Sequence, residues 1–205
     1  MPDAQSLRQH DVTLCGETRH GLAVRLRPMT EDDWPLLYRW NGDPEVLYYS
    51  EGADVASYSP EEVRGIYCAV SKTAFCFIVE ADGTPVGECW LQEMNIERIL
   101  KKYPGLDCRR IDLMIGEKSY WGQGIGTEAI RLLTEFGFLE QGADVIHSCV
   151  GDYNVRSWRA FRRVGYQIVE RIKEPPGSKA GYEYNLALTR EVFLARRPGG
   201  DAGKT

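Results

Sequence analysis

Residues 109–141, RRIDLMIGEKSYWGQGIGTEAIRLLTEFGFLEQ, decide how the rest of the chain is read. Ile111, Leu113 and Ile115 alternate with Arg110, Asp112 and Met114, which is the two-residue period of a strand over 110–116. Gly122, Gly124 and Gly126 follow at alternate positions, just after bulky Tyr120 and Trp121. Beyond them Ile125, Ala129, Leu132, Leu133, Phe136 and Leu139 recur at helical spacing and give one apolar face. Glycines between a strand and a helix let backbone N–H groups crowd around a ligand at the positive end of the helix dipole. The bend is therefore an anion site, suited to phosphate or pyrophosphate.

Such a bend also serves simple close packing of helix on strand, so spacing alone leaves both readings open. Gly124-x-Gly126-x-x-Ala129 fits the loose form of a dinucleotide fingerprint. The second half of a dinucleotide domain is missing, however, and the bend comes at mid-sequence. No Gly-Lys-Ser/Thr follows, which excludes a P-loop.

The chain is 205 residues long and 43% apolar, enough for one globular domain with a sizeable core. Residues 1–20 read as a flexible lead-in, 21–196 as a single domain and 197–205 as a disordered tail. No apolar run is long enough to span a bilayer, and the polar N-terminus lacks the apolar stretch of a signal peptide. Six cysteines lie far apart without a C-x-x-C pair, so neither a metal site nor a disulfide framework is expected, and the cytoplasm is the expected compartment. A net charge of −5 argues against nucleic-acid binding and suits a cationic partner.

In chain order, 22–28 alternates as a strand. Thr30-Glu-Asp-Asp33 is a capping box that opens a helix through about Trp40, with Pro35 pushing its start toward Asp32. Ser59-Pro60-Glu61-Glu62 opens a second helix, to about Ser71. Between them, residues 41–58 read as a loop rich in aromatics and acids: a surface plug, or one wall of a pocket for a positively charged ligand. Residues 75–81 and 85–92 form a hairpin about Asp82-Gly83. After a helical turn near 96–102 come the strand and helix quoted above, then a strand over 144–150. Asn154 caps a helix over 155–164, stopped by Gly165. Two more strands, 166–172 and 181–188, and a short helix over 191–196 complete the chain.

This order resembles the acetyl-CoA-dependent N-acetyltransferases of the GNAT superfamily. Three stretches carry the likeness. Trp121-Gly-Gln-Gly-Ile-Gly126 matches the family's Gln/Arg-x-x-G-x-G/A pyrophosphate loop except at its first place. Asn154-Val-Arg-Ser-Trp-Arg-Ala-Phe161 with Val164-Gly165-Tyr166 resembles its Asn-x-x-small-x-x-x-Tyr/Phe block, and Gly83-Thr-Pro-Val-Gly87 its hairpin. Within the superfamily the chain is similar to aminoglycoside 6′-N-acetyltransferases, through 29–40, Tyr48-Tyr49, Arg110-Ile-Asp112 and Gly124-Ile-Gly-Thr127. The resemblance implies a mixed α/β fold: a mostly antiparallel sheet of six to seven strands, splayed at the acetyl-CoA site and flanked by helices.

It also implies roles. Acetyl-CoA would bond to the backbone of Met114, Ile115 and Gly116. Its pyrophosphate would take N–H groups from the Trp121–Gly122 bend and from Gln123, Gly124, Ile125, Gly126 and Thr127, with Asn154 and Phe161 also touching the coenzyme. The acceptor arrives as an ammonium and must lose a proton before attacking the thioester, so a carboxylate base is needed. Asp112 is the first choice, its alternative being a salt bridge to Arg109 or Arg110; Glu88 and Glu93 are the other candidates. Trp40, Tyr48, Tyr49, Glu51, Asp54 and Asp152 would hold a small cationic amine such as an aminoglycoside. Two positions depart from the family: Phe161 stands where many members carry a proton-donating tyrosine, and Cys149 where the aminoglycoside enzymes carry a carboxylate. Acetylation of a protein N-terminus and a non-catalytic acyl-CoA-binding module are the alternatives; the chain is expected to be a monomer or homodimer.

Overall fold

A computed structural model describes residues 6–51 and 55–197. Its centre is an eight-stranded sheet in the order β1-β2-β3-β4-β5-β6-β8-β7. The strands are β1 Leu14–Glu17, β2 Ala23–Pro28, β3 Ala74–Ala81, β4 Thr84–Glu93, β5 Cys108–Ile115, β6 Val145–Gly151, β7 Gln167–Lys173 and β8 Tyr182–Thr189. All neighbours are antiparallel except β5 and β6. The sheet has one strand more than the six to seven expected. The addition is β1, an edge strand inside the segment read as a flexible lead-in, and pairing with β2 orders it.

Among the described residues seven helices cover the two faces: α1 Trp34–Asn41, α2 Pro44–Ser50, α3 Pro60–Val70, α4 Glu97–Lys102, α5 Ile125–Leu139, α6 Val155–Val164 and α7 Arg190–Ala195. Alternation along the strands sorts the core into layers. Ile111 of β5 and Val86, Cys89 and Leu91 of β4 pack with Ile125, Ala129, Leu133 and Phe136 of α5. Met114 and Ile78 pack on the other face with Trp34, Leu37 and Trp40 of α1 and with Val63 and Tyr67 of α3.

Local sequence explains the helix starts. Asp33 Oδ2 accepts from the Thr30 amide at 2.8 Å, which closes the expected capping box. The chain first makes a 3-10 turn, Glu31–Asp33, and α1 then begins with Pro35 in its first turn, where a missing N–H costs nothing. Ser59 and Glu62 form the second capping box as expected. The stretch read as a loop between these helices contains α2. Asp43 caps it by accepting from the Glu45 amide at 2.9 Å, and Pro44 opens it. At the β3–β4 turn Asp82 and Gly83 both take positive φ, 46° and 78°, the geometry of a tight hairpin.

The decisive feature is the β5–β6 pair. It is joined only at Cys108↔Val145, Arg109↔Ile146 and Arg110↔His147, after which the strands part. β5 runs on to Ile115 and β6 to Gly151, leaving a wedge-shaped opening through the sheet.

Candidate active site

A cavity of about 490 Å³ fills this wedge, within the usual range for small-molecule sites. Leu113, Met114 and Ile115 form its floor, and Trp121, Gly122, Gly124, Ile125, Gly126 and Thr127 one end. Asn154, Arg156 and Arg159 of α6 supply a side, Val46 and Tyr49 of α2 the roof. The bend is open because Gly124 turns at φ 89°, a conformation that L side chains rarely adopt. The first backbone bond of α5 runs from the Glu128 amide to the Gly124 carbonyl. The amides of Ile125, Gly126 and Thr127 therefore have no acceptor within the helix and point out of its positive end. Gln123 stands apart from the cavity wall and donates to the Ser119 carbonyl at 2.8 Å.

Trp121, the residue that departs from the family loop, is built into the wall. Its indole donates to the Ile115 carbonyl at 2.7 Å, a backbone group left without a strand partner by the splay. Arg156 lies between two rings, 4.2 Å from the centre of Trp121 and 4.3 Å from that of Tyr49. Asn154 does two things: its oxygen caps α6 by accepting from the Ser157 amide at 3.2 Å, and its nitrogen donates to the Tyr49 carbonyl at 2.7 Å. The Tyr153 hydroxyl donates to the Glu51 carbonyl at 2.9 Å. These bonds fasten the end of α2 across the splay.

Beyond Met114 the site turns acidic. Asp112 lies two residues back along β5 on the same face, opposite Trp90. Its Oδ2 accepts from the Trp90 indole at 3.0 Å and from Arg110 Nε at 2.6 Å, so of the two expected ion-pair partners the structure selects Arg110. Glu88 sits opposite Met114, 3% exposed. Burial, with the Asp112 charge second, pushes its carboxyl well above the usual carboxylate range, opposed by a hydrogen bond with Tyr67. Tyr67 in turn accepts from Asn41 Nδ2 at 3.0 Å. Glu88 Oε2 has no hydrogen-bond partner among the described residues. Glu51 acts on the same carboxyl electrostatically and hydrogen-bonds Tyr58. Cys149 is close to this group; burial and the Glu183 charge raise its thiol to about 11, so it stays protonated.

Other expected site residues fall elsewhere. Glu93 is five residues along β4 from Glu88 and points to the opposite face, where it is exposed beside Arg109. Trp40 is 1% exposed and cannot meet an acceptor; its indole donates to Glu117 at 2.8 Å and its ring packs on Gly116. Gly116 accordingly abuts Trp40 and is not part of the cavity wall. Phe161 is in the main core, edge-on to Tyr166 at 5.2 Å, and does not line the cavity. Both Asp152 oxygens serve the chain itself, accepting from the Gly181 and Tyr182 amides at 3.1 Å. Tyr48 is exposed, with Lys179 over its ring. Asp54 lies outside the described residues. Sequence reasoning missed Tyr67, Trp90 and the α6 arginines. The arginines carried a signal, since positions 156, 159 and 163 share one helical face.

A cleft between parted parallel strands, with an amide-lined bend on one side and carboxylates on the other, is built for moving a group from a phosphate-bearing donor to an amine. Residues 23–167 match the family model described as the acetyltransferase (GNAT) domain, and the chain belongs to this family of acetyl-CoA-dependent N-acetyltransferases. It is 25% identical to an aminoglycoside N(6')-acetyltransferase type 1 of Klebsiella pneumoniae, over 92% of this chain and 97% of that protein. Its fold matches AAC(6')-Ib solved with ribostamycin and coenzyme A (TM-score 0.69, 22% identity, 86% of this chain and 99% of that one). It also matches a spermidine N-acetyltransferase from Vibrio cholerae solved with CoA and spermine (TM-score 0.68, 15% identity, 83% and 98%). No helix among the described residues is long and apolar enough to cross a membrane.

Proposed function

We propose that this enzyme acetylates a primary amine of a small polycation, the 6′-amino group of an aminoglycoside. One observation carries the reading: charge changes sign across the β5–β6 opening. Arg19, Arg156, Arg159 and Arg163 line the cavity, whereas Glu51, Glu88 and Asp112 gather past Met114. A phosphate-bearing donor is drawn to the first wall and a polycation to the second. The near full-length relatedness to the Klebsiella protein supports the same acceptor class.

The cavity suits acetyl-CoA in size and donors, and the coenzyme supplies the acetyl group as an activated thioester. The free amides of Ile125, Gly126 and Thr127 hold phosphate oxygens, and Met114 and Ile115 guide the chain toward the acidic side. Asp112 removes the ammonium proton, and its hydrogen bonds from Trp90 and Arg110 orient it. Burial raises the Glu88 carboxyl and favours its protonated form, which makes it a poorer base than a carboxylate. Phe161 has no proton to give to the leaving group. The test is thiol release from acetyl-CoA with kanamycin, spermidine or a peptide with a free N-terminus. Kanamycin should exceed the other two by at least about tenfold in kcat/KM, roughly 1.4 kcal/mol of discrimination. Preference for the peptide would overturn the acceptor assignment.

A further inference from the structure

Lys179 is held by the chain as an amine ligand would be. Its ammonium donates to the Tyr48 carbonyl at 2.8 Å and to the Glu51 carbonyl at 2.6 Å. It lies 4.9 Å from the centres of both the Tyr48 and the Tyr153 rings, which meet edge-on at 5.4 Å. Two carbonyls and two ring faces around one point make a cage for an alkylammonium ion. Its walls are fixed by other bonds. The Tyr153 hydroxyl donates to the Glu51 carbonyl at 2.9 Å, and Asn154 ties down the Tyr49 carbonyl at 2.7 Å. The Tyr48 carbonyl is among the last four of α2, beyond the reach of the helix's own amides.

The occupant is less firmly placed than the cage. Lys179 belongs to the β7–β8 connection, whose stretch from Pro175 to Ser178 is exposed, and its side chain can swing out without breaking a strand. Tyr48 is 45% exposed, so the cage opens to solvent. It also borders the acidic side of the cleft, because Glu51, whose carbonyl is one wall, acts electrostatically on Glu88.

We infer that this cage is the subsite for a second, non-reacting ammonium of a polycationic acceptor, and that Lys179 is a tethered placeholder which the acceptor displaces. This rests on the small-polycation reading of the acceptor. One ammonium replaces another, so the carbonyls and rings exchange like contacts and no polar group is left bare. The lysine lowers the apparent affinity for a polycation by the fraction of molecules in which it fills the cage. A monoamine, with nothing to place there, is indifferent to it.

Kinetics with kanamycin, spermidine and hexylamine, and calorimetry of kanamycin on the coenzyme A complex, would be run on the native enzyme, K179Q, K179R and K179Q/Y48L. K179Q should lower KM for kanamycin and spermidine about three- to tenfold and leave hexylamine within about twofold. K179R keeps a cation in the cage and should match the native enzyme. K179Q/Y48L has the charge of K179Q but lacks one ring. It should lose most of the gain, which separates a cage from a general change of field. Unchanged KM for both polyamines in K179Q, an equal gain on hexylamine, or a full gain in the double variant overturns the placeholder. A higher KM for all three amines with a lower melting temperature makes Lys179 a cap of α2 and overturns it too. These outcomes leave native turnover of kanamycin intact and the acceptor reading standing. If the native enzyme neither acetylates nor binds kanamycin or spermidine, that reading fails and the placeholder with it.

Discussion

On the α6 side of the cleft, Arg156, Arg159 and Arg163 stand exposed with no carboxylate partner among the described residues; on the β4–β5 side, carboxylates stand half or fully buried. The two regions keep their charge by different means. An exposed guanidinium on a helix face remains solvated, so an unpaired row costs only mild repulsion until an anion arrives. A carboxylate on a covered sheet loses its water. It must then be paired, as Asp112 is by Arg110, or give up its charge, as burial drives Glu88 to do. The wall proposed for the donor is thus set by how many charges it carries, and the wall proposed for the acceptor by how deeply each acid is buried and what pairs it.

The sharpest way to break this contrast is Asp112→Asn. It should lower kcat by about 10²- to 10⁴-fold and leave coenzyme affinity within about twofold, by steady-state kinetics and calorimetry. Unaltered turnover would remove Asp112 from the base role. On the opposite wall, Gly124→Val forces a β-branched residue into φ 89° and disturbs the bend amides. KM for acetyl-CoA should rise about 10- to 100-fold and the melting temperature fall by several degrees. A variant with native KM would show that the bend does not hold the phosphates.

Smaller effects probe the seam between the walls. Arg156→Ala removes a cation held by two rings and should raise KM for acetyl-CoA about three- to tenfold, with little change in KM for the amine. An equal loss on both substrates would make Arg156 a support for α2 instead of a coenzyme contact. Glu88→Gln tests the buried acid. Because the folded carboxyl is raised, Glu88 retains a proton that the unfolded chain releases above the ordinary carboxylate value. Its contribution to stability is complete below that value and is lost as pH rises toward the raised one. Relative to native, the Gln variant should gain about 2–4 °C in melting temperature between pH 5 and pH 8 by circular dichroism. A difference independent of pH would mean that Glu88 is ionised in the fold.

Much of the donor wall was legible from residue order, because its chemistry is local. A strand, a bend and a helix adjacent in sequence place their own amides, and Asn154 caps the helix that follows it. The wall proposed for the acceptor was legible only in part. Asp112, the base proposed here, was singled out by its likeness to the aminoglycoside enzymes. Trp40 and Asp152, also expected there, proved to be engaged within the chain, with Glu117 and with the start of β8. Tyr67 and Trp90, which flank the two acids, looked like ordinary apolar-face residues of a helix and a strand. α2 was hidden because seven residues are too few to show a helical period, although Asp43-Pro44 marks its start.

Sequence by itself therefore determined the glycine bend, the capped helices, the Asp82-Gly83 hairpin and the family likeness, since each depends on hydrogen bonds and periodicities between near neighbours. Only the tertiary structure decided where β5 and β6 part, that β1 joins the sheet, and which acids meet. Glu88 faces Tyr67 and Glu93 faces away because β4 alternates and its register with β5 is set by residues 16 to 28 positions apart. A side chain's type is written locally, but whether it stays charged depends on what the fold packs around it.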